Sequence, residues 1–196
     1  MIVLACLAGY LLGSISASYI AGKLSSGVDI RDHGSGNAGA TNTLRVLGWR
    51  LAVLVALADV FKGVLAVSFA DLVTGGASAA LALAALAAVV GHNWPIFLGF
   101  RGGKGIATAI GVLLTLTPGA ALYSLLLAVL LLVGTRYMSL AALAFVTFTP
   151  IFQLFMHVHP IDTVVAVAIA LLAYWRHRGN IERLRRGTER RLFFHS

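Results

Sequence analysis

The chain is 196 residues long, 59% hydrophobic and only 11% charged, yet it carries 15 Lys and Arg against 7 Asp and Glu, a formal net charge of +8. Its mean hydropathy is +0.91. A soluble domain has roughly 45–50% apolar and about 25% charged residues, so this chain lacks the polar surface to cover a water-exposed globule. Disorder, a collagen-like fibre and a disulfide scaffold (Cys6 is the only cysteine) are excluded, and an integral membrane protein is indicated.

A spanning helix needs about 20 apolar residues. Predominantly apolar runs cover residues 1–22, 51–70, 77–94, 106–117, 119–134, 140–156 and 161–175. The first is not a signal peptide, because no Lys or Arg precedes Lys23. Residues 106–134 read either as one long tilted helix or as two pieces broken at Thr117-Pro118-Gly119, since proline with glycine punctuates helices. Charge decides between them, because cytoplasmic loops carry the excess of Lys and Arg. Seven spans with the N-terminus outside put every Lys and Arg except Lys62 on the inner side. Six spans would place Arg136 and the Arg-rich tail opposite Lys23–Arg50. The expectation is an all-α integral membrane protein with seven transmembrane helices, a cytoplasmic C-terminus and one domain over residues 1–196.

The same topology gathers three polar segments, 29–50, 93–105 and 177–196, on the cytoplasmic face. The first places Gly34, Ser35, Gly36, Asn37, Gly39, Thr41 and Asn42 between Arg31 and Arg45. Successive backbone N–H groups in glycine-permitted conformations bind anions, and Ser, Asn and Arg add donors. A plain Gly- and Asn-rich turn is the other account, although such turns are shorter. Gly34-x-Gly36-x-x-Gly39 matches the dinucleotide fingerprint by accident, because a membrane helix and not a strand precedes it.

In the second segment, Gly102-Gly103-Lys104-Gly105 opens into an apolar helix, so free N–H groups and the positive dipole end suit a phosphate. A glycine hinge with a snorkelling lysine stands as the alternative. It is not a Walker A loop, because Gly105 occupies the magnesium-binding Ser or Thr position. His92 beside Pro95 reads as structural. In the third segment His177 and Asn180 lie three apart, and on a continued helix they share a face. Arg185, Arg186, Arg190 and Arg191 read as an anchor to anionic lipid.

Asp59 and Lys62 form a charged pair at membrane depth, where charges are functional candidates, although an i,i+3 pair also neutralises itself. The loop Arg136-Tyr137-Met138-Ser139 is too short to interpret physically. His157 and Asp162 form an HxxxxD on the outer side, away from every anion site, and are treated as a false match. The scattered carboxylates include no paired cluster for magnesium, which disfavours metal-dependent lipid transferases. No GxSxG elbow occurs.

Taken in order, residues 34–42 (GSGNAGATN), 91–108 (GHNWPIFLGFRGGKGIAT) and 176–189 (RHRGNIERLRRGTE) resemble the bacterial acyl-phosphate:glycerol-3-phosphate acyltransferase family, the PlsY type. The resemblance covers nearly the whole chain and includes residues 59–63 and 136–139. Ser16 stands where relatives commonly carry proline, which bears on a helix kink.

The resemblance implies acyl transfer from acyl-phosphate to the 1-hydroxyl of glycerol 3-phosphate, giving lysophosphatidic acid and phosphate at the bacterial cytoplasmic membrane. It implies no cofactor and no metal; no nucleic acid partner is expected. Membrane lipid surrounds the chain, and a transient contact with the soluble enzyme that makes acyl-phosphate is a further expectation. By the same resemblance Ser35, Arg45, Lys104, His177 and Asn180 hold glycerol 3-phosphate. The backbone of 36–41 and 102–105 (Gly36, Asn37, Thr41; Gly102, Gly103, Gly105) holds the acyl-phosphate head, with Asn42 and Ser139 as further substrate contacts. Ser35, Arg45, Lys104 and His177 are the catalytic set, and the proton goes to His177 or to the leaving phosphate. Two other readings are a transporter of a phosphorylated metabolite and an acyltransferase that uses acyl-CoA or acyl-carrier protein.

Overall fold

The computed structural model describes residues 1–192, and among these every regular element is helical. The last four residues of the polar segment 177–196 lie outside the described residues. Five helical stretches are long and apolar enough to cross a membrane: Ile2–Ser26, Trp49–Thr74, Ser78–Leu98, Pro118–Thr135 and Met138–Phe155. The chain divides into two compact units, Met1–Leu116 and the residues from Thr117 onward.

The first unit contains α1 (Ile2–Ser14), α2 (Ala17–Ser26), α3 (Ala40–Leu47), α4 (Trp49–Thr74), α5 (Ser78–Asn93) and α6 (Ile106–Leu116). The apolar run 1–22 is therefore not one helix. Ile15 and Ser16 are extended, and the Ser16 hydroxyl accepts a hydrogen bond from Tyr19 N at 3.4 Å, starting α2. Serine thus makes by capping the break that proline would make by removing a donor.

Small residues set the helix spacing. A Cβ at Gly9 or Gly13 would collide with the carbonyls of Ala84 and Ala88 on α5, and one at Gly63 or Gly111 would collide across the α4–α6 contact. Lipid supplies no hydrophobic drive between helices, so close backbone approach and dispersion hold such pairs together. Ala5, Ala70 and Ala84 are fully buried against Val73 and Leu81. Val3, Leu7 and Leu11 of α1 face outward.

The second unit contains α7 (Pro118–Thr135), α8 (Met138–Phe155), α9 (Pro160–Arg176) and α10 (Arg178–Arg185). Residues 106–134 thus form two helices, with Pro118 at the first position of α7, where its missing N–H has no cost. Gln153 Nε2 donates to Thr117 Oγ1 at 2.8 Å, and Thr147 Oγ1 lies 2.9 Å from the Tyr174 hydroxyl, tying α8 to α9. The tail folds back: Leu192 N donates to Arg136 O at 2.8 Å and Arg191 Nε to the Tyr137 hydroxyl at 3.2 Å. Arg191 therefore braces the α7–α8 turn, a role additional to the lipid anchoring expected of it.

Candidate active site

In the first unit the chain between α2 and α3 is wound around one side chain. Asn42 is fully buried. Its Oδ1 accepts from Ser35 N at 2.8 Å and Ser35 Oγ at 3.1 Å, while its Nδ2 donates to Ile30 O at 2.9 Å and His33 O at 3.0 Å. A carboxamide has two donors and room for two bonds at its oxygen, so Asn42 is saturated by its own loop. Its four bonds hold the loop together, at a position where the resemblance implied a substrate contact. Gly34 and Gly36 have φ of 65° and 69°, the left-handed turns this winding requires. Ser35 and Gly36 on the loop and Arg45 on α3 are exposed, and Asn37 and Thr41 are half-buried.

Asp29 begins the same loop. It accepts from Arg31 N at 3.0 Å, and its Oδ2 lies 2.6 Å from Arg31 Nη2. The Arg31 hydrogen bond holds the Asp29 carboxyl down to about 2, against the opposing effect of burial. Arg31 Nη1 then donates to Leu98 O at 2.7 Å, joining the first polar segment to the second. The sequence reading gave Arg31 no such role.

Gly102, Gly103 and Gly105 lack side chains because neighbouring atoms leave no room for one. A Cβ at Gly102 would strike the Pro95 ring and the His92 carbonyl; at Gly103 it would strike the His92 ring and the Ala38 carbonyl. Gly103 N donates to His92 O at 3.0 Å. Gly105 has φ +81°, and a Cβ there would meet the Asn93 amide oxygen. Lys104 is half-buried, while the three glycines are buried. Contact between Gly103 and Ala38 brings the two glycine loops side by side in this unit. Asn93 was not singled out from sequence. It is fully buried with neither amide atom hydrogen-bonded, which is rare for a buried carboxamide.

The second unit has its own polar cluster, centred on Glu189. That carboxylate accepts from Ser139 Oγ at 2.9 Å, Asn180 Nδ2 at 2.6 Å and Arg183 Nε at 2.7 Å. Burial pushes the Glu189 carboxyl up, but the hydrogen bonds from Asn180, Ser139 and Arg183 outweigh it and hold it below the ordinary glutamate range. The sequence gives Glu189 no function, because nothing in an acid among arginines, with Glu182 beside it in the same segment, marks its partners. His177, 3% exposed, stands between α9 and α10 with Nδ1 2.8 Å from Ala173 O. A carbonyl only accepts, so Nδ1 donates and Nε2 is the basic nitrogen of the neutral ring. His177 and Asn180 are thus not on one continuous helix: His177 is the residue where α9 ends.

His157 follows α8 and Asp162 lies in the first turn of α9. The length of α8 separates them from Ser139, about 27 Å at 1.5 Å per residue. The HxxxxD is therefore remote from the Glu189 cluster.

Apolar helices that pack through small residues and carry hydrogen-bonded, cation-bearing glycine loops at their ends define an integral membrane protein suited to an anionic ligand. Comparison with known proteins narrows the class. The sequence model for glycerol-3-phosphate acyltransferase matches residues 3–187. The glycerol-3-phosphate acyltransferase of Halalkalibacterium halodurans is 51% identical over 188 residues, 93% of this chain and 91% of the relative. That of Shouchella clausii is 52% identical over 190 residues, covering 94% and 92%. A crystal structure of the integral membrane glycerol 3-phosphate acyltransferase PlsY (YgiH), in its glycerol 3-phosphate form, aligns with a TM-score of 0.93 at 38% identity, covering 98% of this chain and 96% of that one. Its lysophosphatidic acid form aligns at 0.90. This chain belongs to the glycerol-3-phosphate acyltransferase family, and it is a membrane acyltransferase.

Proposed function

We propose that the protein transfers a fatty acyl group from acyl-phosphate to the 1-hydroxyl of glycerol 3-phosphate, releasing lysophosphatidic acid and phosphate. One observation carries this reading: two glycine loops suited to anions meet at Gly103 and Ala38, with Lys104 on one loop and Arg45 on the helix that follows the other. A reaction between two phosphorylated substrates needs two such sites side by side and cations to offset their repulsion.

In this account the glycerol C1 oxygen attacks the acyl carbonyl carbon, and the bond from that carbon to the phosphate oxygen breaks. The donor is a mixed anhydride with a good leaving group, so positioning and electrostatic stabilisation supply most of the rate. The hydroxyl proton goes to the departing phosphate; His177 Nε2 is the other acceptor. Backbone of Gly36–Thr41 and of Gly102–Gly105 holds the donor head. Ser35, Arg45 and Lys104 hold glycerol 3-phosphate, with His177 and Asn180 as further contacts assigned by the resemblance. Asn42 and Ser139 serve the site by holding Ser35 and Glu189.

The account includes seven crossings of a bacterial cytoplasmic membrane, an external N-terminus and a cytoplasmic active face. Support for the orientation comes from the single side on which it places all Lys and Arg except Lys62. The chain then works as one acyltransferase domain that meets the soluble maker of acyl-phosphate transiently.

The test is a donor comparison on purified protein given labelled glycerol 3-phosphate and either palmitoyl phosphate or palmitoyl-CoA. Lysophosphatidic acid is expected from the first donor alone. Lys104→Ala and Arg45→Ala should each lose about 10²-fold in rate, as removal of one stabilising donor does. Product from the thioester alone, or near-wild-type rates in both variants, refutes the reading.

A further inference from the structure

The charged pair of α4 touches more than itself. Asp59 and Lys62 are 1% and 7% exposed. Lys62 Nζ lies 2.7 Å from Asp59 Oδ1, in an ionic contact that lacks hydrogen-bond alignment. It also donates at 2.8 Å to Ile15 O, at the break between α1 and α2, and stands 2.9 Å from His92 Nδ1. Asp59 Oδ1 is 3.6 Å from the same ring nitrogen, too far for a hydrogen bond.

These distances fit one placement of the ring's proton. With the Asp59 carboxylate 2.7 Å away, Lys62 is taken as the ammonium, which has donors and no lone pair. Lys62 therefore donates to His92, so Nδ1 accepts. A neutral imidazole that accepts at Nδ1 carries its hydrogen on Nε2. Nε2 is the ring atom that a Cβ on Gly103 would meet first, with the Ala38 carbonyl next. The ammonium thus orients an N–H toward the place where the two glycine loops meet. A pair that only neutralised itself would not engage both Ile15 and His92.

We propose that Lys62, supported by Asp59, is a positioning residue for the acyl transfer. It holds His92 as the neutral Nε2–H tautomer under Gly103 and so sets the loop 102–105 against the segment at Ala38. The link to donor binding rests on the function proposed above, whereas the tautomer does not.

The experiment uses full-length protein labelled with ¹⁵N-histidine in lipid nanodiscs, with the His92 ring signals assigned by their loss in His92→Gln. Wild type should show a bare Nδ1 and a protonated Nε2. The double variant Asp59→Asn/Lys62→Met removes the ammonium without stranding a lone charge. Its His92 should shift toward the Nδ1–H form, and KM for acyl-phosphate should rise by about 10-fold or more, within the 10²-fold scale on which 1 Å of misplacement acts, while KM for glycerol 3-phosphate stays near the wild-type value. A wild-type ring protonated at Nδ1 overturns the proposal. So does a double variant that keeps both the wild-type tautomer and the wild-type donor KM. If the double variant does not fold, the wild-type spectrum decides the tautomer. His92→Gln, whose amide reaches near Nε2, must then outperform His92→Ala in donor KM; equal values refute positioning. Wild-type protein inactive with acyl-phosphate but carrying the expected tautomer would overturn the reaction assignment and leave the Lys62–His92 geometry standing.

Discussion

Asn42 lends itself to a change of essentially one atom. In Asn42→Asp the amide nitrogen that donates to Ile30 O at 2.9 Å and His33 O at 3.0 Å becomes an oxygen. The two bonds to Ser35 survive, so the loss is confined to those carbonyls. Each buried group left unpaired costs about 1–3 kcal/mol, giving about 2–6 kcal/mol for both. Protonation of the new carboxyl, which would restore one donor, moves the cost toward the lower end. Against a net stability of about 5–15 kcal/mol, this is enough to open the loop 30–36 while the packed helices persist. The assay pairs kcat/KM for glycerol 3-phosphate with brief trypsin treatment in detergent. We expect a loss of about tenfold or more in kcat/KM, since misplacement of about 1 Å costs up to 10²-fold. New cleavage after Arg31 is expected as well. Wild-type kinetics together with an uncut loop would refute the scaffold role of Asn42.

Three further outcomes follow from the geometry. Gly103→Ala places a methyl against the His92 ring and the Ala38 carbonyl, so activity should fall by about 10²-fold with the helices intact by circular dichroism; retained activity would show that the loops do not need this contact. Glu189→Gln should weaken the grip on Ser139, Asn180 and Arg183 by about 2–3 kcal/mol, the scale of hydrogen bonds to a charged group, read as a drop in Tm. Because the folded Glu189 carboxyl is held below its ordinary 4.5, its stabilisation is complete above about pH 4.5 and disappears as pH falls through the lower folded value. The acid-side decline in Tm should therefore shrink in Glu189→Gln, and an unchanged decline would contradict the Glu189 cluster.

Long elements were legible because runs of apolar residues are a strong signal over many positions. The helix break at Thr117-Pro118 was readable, because proline and glycine act locally and the placement of Lys and Arg favoured two helices. The break at Ile15–Ser16 was visible only through the resemblance, at Ser16, because no charge interrupts the run and a single hydroxyl cap marks the start of α2. The polar loops were recognisable by composition, but the division of labour within them was not. Asn42 looks like a ligand until its four partners are seen. Arg31 meets Leu98 67 positions away, and Ser139 meets Glu189 50 positions away. Pairings at such separation arise from tertiary packing and leave no local pattern. Lys62 was visible as a candidate with two readings; its contact with His92, 30 positions on, gives it a role beyond neutralising Asp59.

The most direct measurement is the stoichiometry of a single reaction. Purified protein in nanodiscs is given palmitoyl phosphate in excess and a known amount of glycerol 3-phosphate, with a chelator present. Inorganic phosphate and lysophosphatidic acid are then counted together. The account predicts equal amounts of the two, limited by the glycerol 3-phosphate added, with the acyl group on the 1-hydroxyl. Phosphate release without acylated product, or no reaction until a thioester donor or a divalent metal is supplied, would contradict it.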